Sequence, residues 1–246
     1  MNQNFLIIPI TLCEYAVREK RKNELQLLCW LKVQCSGNFM LTNNLKNRVY
    51  NQLKITLATF KSRLAWLLEK SWVEYNEETK RYWICSFTII TKMMDGYTSK
   101  AVIWDYNEFD TFKAFVDATM ITFIAKRKYF YDKQGYRCNL EYNRYKLYRK
   151  RTKPQFYPLP VSYLSKALGI SDSSASNMKK NASNAQFIIV KKNIKKLDIS
   201  VNEYKFLKDC HPEGKRYLKR GNVIYEQLPD SIQSYLVFKI KRNLVQ

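Results

Sequence analysis

Apolar residues recur at helical spacing on both sides of a glycine within residues 161–180. Leu164 and Leu168 lie four residues apart, so they share one face of a predicted helix over 161–168. Gly169 follows, and glycine readily adopts the positive φ that ends a helix at a sharp corner. The Ser171 hydroxyl can then cap a second helix. This second helix has two inward-facing residues, Ala175 and Met178. The pattern predicts two helices joined at a tight corner.

The outward face of this second helix carries short polar and basic side chains. Ser173, Ser176 and Asn177 are short enough to enter a major groove and hydrogen-bond to base edges. Lys179 and Lys180 are expected to contact phosphates. The alternative is an ordinary helix hairpin inside an α-helical core, since two helices joined by a glycine occur in many folds.

The spacing of this segment, L-S-x-x-L-G-I-S-x-x-S-A-S-x-x-M, resembles the broad helix-turn-helix family. The DNA-reading unit of that family has the pattern L-A-x-x-L-G-hydrophobic-S/T-x-x-T-V-S. The match differs at Ser165, Ser174 and Ala175, where the family more often has Ala, Thr and Val. The resemblance implies that the second helix reads DNA.

A weaker copy of the same pattern occurs nearer the amino terminus. Aligned on the capping residue, L53-K54-I55-T56-x-x-T59-F60 parallels L168-G169-I170-S171-x-x-S174-A175. The copy predicts one helix over 43–53 and a second over 57–70. A helix over 19–34 precedes it, and alternating residues over 72–84 predict a β-hairpin after it.

The order helix, helix-turn-helix, hairpin resembles the winged-helix family across about residues 20–90. This resemblance implies a secondary DNA contact through Thr59, Lys61 and Ser62. The alternative is a structural or dimerisation module, because the second helix is apolar and the hairpin tip is acidic at Glu77 and Glu78. Both features disfavour contact with the phosphates of DNA.

The remaining pattern completes two units with a helix between them. Phe109 to about Gln134 predicts a long bridging helix that stops at Gly135. Short strands are predicted at 4–12, 86–92, 100–106, 187–191, 222–225 and 235–244. The strand at 187–191 opens a second wing, where Lys191 and Lys192 would contact the DNA backbone.

We therefore predict an α+β fold, mainly α, with two winged-helix-like domains joined by a long helix. The first domain is expected over 1–108 and the second, with a basic wing, over 154–246. Residues 109–153 are expected to form the bridging helix and a basic, tyrosine-rich segment.

The charge of the chain favours a polyanionic partner. The 246 residues carry a net charge of +22, of which +4 lies in residues 1–125 and +18 in residues 126–246. Residues 126–153 are the most basic, with interleaved tyrosines, and Arg149, Lys150 and Arg151 are expected to contact phosphates. Anionic membrane is the second partner class to consider, but no apolar run reaches the roughly 18 residues of a membrane span.

Several kinds of chemistry lack their usual residues. The sequence contains no G-x-x-x-x-G-K-[ST], G-x-G-x-x-G or G-x-S-x-G motif. The single histidine and six scattered cysteines form no pattern typical of a metal site, so no metal and no cofactor are expected. No tyrosine is marked as an activated nucleophile.

The expected function is non-enzymatic, cytoplasmic, sequence-specific binding of duplex DNA, with a homodimer as one expected assembly. Tandem winged-helix architecture resembles plasmid replication initiators and some phage or mobile-element regulators, so replication initiation and transcription regulation are both open. One alternative is a structural or assembly protein that binds nucleic acid without sequence preference. A second is a tyrosine-dependent DNA-cleaving or DNA-joining enzyme.

Overall fold

The computed structural model describes residues 5–94, 100–106, 109–138, 156–210 and 217–240. The fold is α+β, and helices account for more residues than strands, as predicted. Within the described residues, no helix is both long enough and apolar enough to cross a membrane.

The chain begins with a strand that turns directly into a helix. Strand β1 spans Phe5–Pro9 and helix α1 spans Ile10–Arg18. The predicted strand over 4–12 was therefore too long. Pro9 ends the strand because its fixed φ, here −59°, suits the position before a helix. From Ile10 onward the buried residues follow a helical spacing, namely Ile10, Cys13 and Val17.

The first predicted unit has the expected elements. Helix α2 (Lys22–Cys35) and strand β2 (Asn38–Phe39) lead into helix α3 (Asn43–Leu53) and helix α4 (Leu57–Glu69). A hairpin follows, formed by β3 (Val73–Asn76) and β4 (Arg81–Ile84). The three strands form an antiparallel sheet in the order β2-β4-β3.

The segment after this hairpin was predicted as a strand over 86–92, and that prediction is wrong. It forms helix α5, Phe87–Met93, because the Ser86 side chain accepts a hydrogen bond from the Ile89 amide at 3.2 Å and caps the helix. The next strand, β5 (Lys100–Asp105), pairs antiparallel with β1. It also pairs with β10 (Phe238–Ile240), so the predicted tail strand joins the amino-terminal sheet.

Helix α6 spans Phe112–Cys138 after a short 3-10 turn at Phe109–Thr111. This is the predicted long helix, but it continues through Gly135 and does not stop there. Its residues are buried on nearly all sides between Phe112 and Ala125. The buried Thr119 hydroxyl donates to the Phe115 carbonyl at 2.8 Å, so this polar group is satisfied within the helix.

The second predicted unit follows α6. Strand β6 (Tyr157–Pro158) precedes helices α7 (Val161–Leu168) and α8 (Asp172–Asn184). Strand β7 (Ile188–Leu197) pairs antiparallel with β9 (Val223–Ser234), so the strands predicted over 187–191 and 222–225 were too short. They lie at opposite ends of one ribbon, because residues 188–191 pair with 231–234 and residues 224–225 pair with 196–197. Helix α9 (Val201–Cys210) and strand β8 (Tyr217–Arg220) lie between β7 and β9 in the chain.

The two units follow the same path. The first runs α2, β2, α3, α4, β3, β4, and the second runs α6, β6, α7, α8, β7, β9. In each sheet the short first strand pairs with the last strand, which gives the orders β2-β4-β3 and β6-β9-β7. The additional strand β8 pairs with β9 in the second sheet.

Both units share one hydrophobic core. Helix α6 packs against α1 and α2 on one side and against α7 and α8 on the other. The Phe115 ring on α6 packs edge to face against the Phe187 ring, with the ring centroids 5.7 Å apart. Phe187 lies in the short connection between α8 and β7. The buried residues therefore form a single cluster that extends through both halves.

Because the two units share this core, we expect a destabilising substitution in the second unit to lower the stability of the first unit as well. All five tryptophans lie between residues 30 and 104, so their fluorescence reports unfolding of the first half only. We expect Phe187→Ala to destabilise the protein by roughly 1–3 kcal/mol and to shift the urea midpoint of the tryptophan signal together with that of helical circular dichroism. The control Phe206→Ala, at a site that is 67% exposed, should change stability by less than about 0.5 kcal/mol. A tryptophan midpoint unchanged by Phe187→Ala would show that the halves unfold independently.

Candidate nucleic-acid interface

The corner between α7 and α8 is fixed by backbone conformation and by hydroxyl groups. Gly169 adopts φ 66° and ψ 34°, the left-handed region that glycine enters most easily. Ser171 accepts a hydrogen bond from the Ser174 amide at 3.2 Å and caps α8, as predicted. The buried Ser165 hydroxyl hydrogen-bonds the Asp172 carboxylate and so joins the two helices directly.

The predicted base-reading residues lie on the exposed face of α8. Ser173, Ser176 and Asn177 are all exposed, and Lys180 is exposed beside them. The opposite face is buried against the core through Ala175, Met178 and Ala182. Helix α8 therefore presents to solvent short hydrogen-bonding groups, the Lys180 cation and, in its first turn, the Asp172 carboxylate.

The prediction of Lys179 as a phosphate contact is wrong, because its side chain points into the protein. Lys179 is only 4% exposed, and its Nζ donates to the Leu159 carbonyl at 2.6 Å. Its Nζ also lies 3.3 Å from Oδ2 of Asp230. Burial lowers the pKa of Lys179, while Asp230 acts in the opposite direction. This lysine joins α8 to the sheet and is not available to DNA.

Helical spacing explains this placement. Lys179 follows the buried Ala175 by four residues and precedes the buried Ala182 by three, which puts all three on the inner face. In the internal repeat, Lys179 aligns with Leu64, which is 3% exposed on α4. When the alignment of the two copies is continued to the eighth residue after the capping serine, it places position 179 in the core.

The first unit has the same corner with a different surface. Lys54 adopts φ 51° and ψ 40°, close to the values at Gly169, and Thr56 accepts from the Thr59 amide at 3.2 Å. Lys61 and Ser62 are exposed on α4. Thr59 is half-buried, and its hydroxyl lies 3.0 Å from that of Thr56, so it takes part in the cap.

The two hairpins differ in charge. Lys191 and Lys192 are exposed on β7, at a β-bulge between Lys191 and Asn193. Two further exposed lysines, Lys195 and Lys196, follow on the same strand. The tip of the first hairpin instead exposes Glu77 and Glu78. The hairpin after α8 is therefore basic, whereas the hairpin after α4 has Glu77 and Glu78 at its tip, followed by the exposed Lys80 and Arg81.

The basic segment is described only at its start. Arg149, Lys150 and Arg151 lie outside the described residues. At the start, the Tyr129 ring packs edge to face on Tyr157 at 5.3 Å. Lys128 Nζ lies 5.3 Å from the centre of the Tyr163 ring on α7. These contacts attach the middle of α6 to the second unit.

A basic cleft lies between α8 and the corner that joins α1 to α2, and the sequence pattern did not reveal it. Its volume is about 340 Å³. Three lysines line it, together with three polar residues of α8: Lys20, Lys22, Lys113, Ser174, Asn177 and Asn181. The sequence shows the basic run over 18–22, but nothing in its local pattern indicates that this run faces α8.

Within the described ranges, no cluster of three or more His, Cys, Asp or Glu side chains could hold a metal ion. Burial raises the pKa of the Cys13 thiol to about 12 and raises that of Cys29 well above its usual value. These two thiols stay protonated near neutral pH and are poor nucleophiles.

Comparisons with models of known protein families, with curated proteins and with solved structures find no match to this chain.

The opposite placements of two adjacent lysines give a stability prediction. Lys179→Ala should lower the free energy of unfolding by about 3–5 kcal/mol, because it leaves the partly buried Asp230 carboxylate and the Leu159 carbonyl without their partner. Lys180→Ala removes an exposed side chain of the same type and should change the free energy of unfolding by less than about 0.5 kcal/mol. Urea unfolding at neutral pH measures both values. Equal effects of the two substitutions would contradict the inward placement of Lys179.

Proposed function

We propose that this protein is a sequence-specific binder of duplex DNA and that α8 is its main reading helix. The observation that carries the proposal is the exposed face of α8, where Ser173, Ser176 and Asn177 lie side by side around Lys180. Short hydroxyl and amide groups can approach base edges in a major groove, where each base pair presents a distinct hydrogen-bonding pattern. A helix whose exposed face served only solubility would not require such short side chains.

The path of the chain supports a tandem winged-helix arrangement. Two helices meeting at a capped corner and followed by a β-hairpin match the winged-helix order proposed from the sequence. The pairing of the short first strand with the last strand occurs in both units, so the resemblance extends beyond the twenty-residue motif. We take α8 and α4 as the corresponding helices of the two units.

Electrostatics favour the second unit as the principal DNA contact. The net charge of residues 126–246 is +18, and Lys191 and Lys192 are exposed on the ribbon that follows α8. Lysines that neutralise phosphates release counterions, which strengthens binding at low salt. Arg149, Lys150 and Arg151 remain proposed phosphate contacts.

The first unit is proposed as a secondary contact. Lys61 and Ser62 on α4 correspond to Ser176 and Asn177 in the repeat and share their exposure. Thr59 also stays in this proposed set, although its hydroxyl already serves the helix cap. The exposed Glu77 and Glu78 oppose a close approach of this hairpin to phosphates.

The proposed partner is duplex DNA in the cytoplasm, with a homodimer as the proposed assembly. The same surfaces would serve a transcription regulator or a replication-origin binder of a plasmid, phage or mobile element. No enzymatic step is part of the proposal.

Selection of binding sites from random duplexes tests the function. We expect the full chain to enrich one sequence motif and to bind it far more tightly than unrelated duplexes at the same salt concentration. Salt-sensitive binding of equal strength to all duplexes would overturn the proposal in favour of a non-specific nucleic-acid-binding protein. A covalent adduct with supercoiled DNA would instead indicate the tyrosine enzyme.

Substitutions on α8 should separate base contacts from phosphate contacts. Ser173→Ala and Asn177→Ala should each cost about 1–3 kcal/mol on the selected site and relax specificity at individual base pairs. Lys180→Ala should weaken binding to all duplexes and reduce the salt slope by about one. Fluorescence anisotropy at several salt concentrations measures both effects. Lys92→Ala, at an exposed lysine on α5, is the control and should leave affinity unchanged.

If the selected site and an unrelated duplex lose affinity equally in Ser173→Ala and Asn177→Ala, α8 does not read bases.

A further inference from the structure

The cleft beside α8 is built from three parts of the chain that are distant in sequence. Lys20 and Lys22 come from the α1–α2 corner, and Lys113 comes from the first turn of α6. The opposite wall is a stripe of α8 with Ser174 and Asn181. This stripe borders the exposed face of α8, and Asn177, which lines the cleft, belongs to both surfaces.

The positive charge of the cleft is only partly neutralised. Lys22 Nζ forms an ion pair with Asp117, whose side chain is 2% exposed. Burial raises the pKa of Asp117 and the neighbouring Lys22 lowers it. Among the described residues, Lys20 and Lys113 form no ion pair with a carboxylate. Over the ranges that the structure describes, the cleft therefore contains one lysine in an ion pair and two lysines without one, and the buried Glu24 lies near enough to Lys113 to act on its pKa.

A further cation, Arg63, and a carboxylate, Glu24, lie near the cleft without lining it. Burial is the largest cause of the lowered pKa of Lys113; Arg63 on α4 and Lys22 lower it further, whereas Glu24 raises it. Nη1 of Arg63 is buried without a hydrogen-bond partner in the described part of the chain. Oε2 of the buried Glu24 also has no hydrogen-bond partner in the described residues. Glu24 acts to raise the pKa of both Arg63 and Lys113, so this carboxylate already offsets part of the positive charge.

We propose that this cleft binds a phosphate group of the DNA backbone next to the base pairs that α8 contacts. Lys20 and Lys113 supply the charge, and the side-chain amide of Asn181 supplies a neutral hydrogen-bond donor. The contact lies on the flank of α8 that faces the first unit. A backbone strand at the border of the groove would therefore be held by both units together.

This proposal rests on the proposed function, because the phosphate belongs to the bound duplex. It assigns to Lys20 and Lys113 a role that neither the helix-turn-helix pattern nor the wing pattern predicts. It also explains how the first half of the chain can contact DNA while the tip of its hairpin is acidic, because the contact uses Lys20 at the α1–α2 corner.

The test begins with Lys20→Gln and Lys113→Gln in the full chain, with Lys92→Gln as the charge-matched control on α5. We expect each cleft variant to bind the selected duplex about tenfold more weakly at moderate salt and to reduce the salt slope by about one. The enriched motif should stay the same, because phosphates carry no direct sequence information. Unchanged thermal melting of the variants will show that the fold is intact.

Neutral methylphosphonate linkages, placed one at a time in the selected duplex, locate the contacted phosphate. At one linkage, the methylphosphonate should weaken binding of the wild-type protein. It should have little further effect on binding of Lys113→Gln, because that variant has already lost the contact between Lys113 and this phosphate. The Lys92→Gln protein should respond like the wild-type protein at every position.

The outcomes separate the two proposals. If the wild-type protein selects a motif but the cleft variants bind like the control, the phosphate site is wrong and the proposed function stands. If the wild-type protein shows no preference among duplexes, the proposed function fails, and the phosphate site beside specifically contacted base pairs fails with it. If inorganic phosphate raises the melting temperature of the wild-type protein but not of Lys113→Gln, and the cleft variants bind DNA normally, the site takes free phosphate and the DNA contact is overturned.

Discussion

The burial of helix α6 is the constraint on which the rest of the structure depends. From Phe112 to Ala125 this helix is enclosed by α1 and α2 on one side and by α7 and α8 on the other. A helix that is apolar on nearly all sides must be covered on all sides, so neither unit can complete its core alone. The few polar groups in this stretch are satisfied, as in the ion pair of Asp117 with Lys22. The cleft beside α8 is a direct consequence, because α6 holds the α1–α2 corner close to that helix.

The two corners show how one backbone arrangement can carry different surfaces. Lys54 and Gly169 have nearly the same φ and ψ, and the caps at Thr56 and Ser171 have the same geometry. The side chains around them differ: the second unit exposes short polar groups and lysines, whereas the first exposes Leu57 and an acidic hairpin tip. The corner defines the shape of each unit, and the surface side chains favour DNA contact by the second.

Local chemistry made much of this fold predictable, and long-range packing accounts for what was missed. The two corners and their caps follow from Gly169, Ser171 and Thr56, because these residues act on backbone groups only a few positions away. Residues 86–92 looked like a strand because Ile89 and Ile90 favour strands, but the Ser86 cap formed a helix. Lys179 was misassigned because charge alone suggested exposure, although Asp230, 51 residues away, neutralises it. The cleft could not be seen because it joins residues separated by more than 150 positions.

Photo-crosslinking from α8 tests most directly the claim that this helix lies in a DNA groove. A photo-reactive phenylalanine analogue at position 176, in the full chain bound to its selected duplex, should form adducts with bases at one place in the site. The same analogue at position 206, exposed on α9, serves as the reference. We expect more base adducts from position 176 than from position 206. Retained binding with no base adducts from position 176 would contradict it.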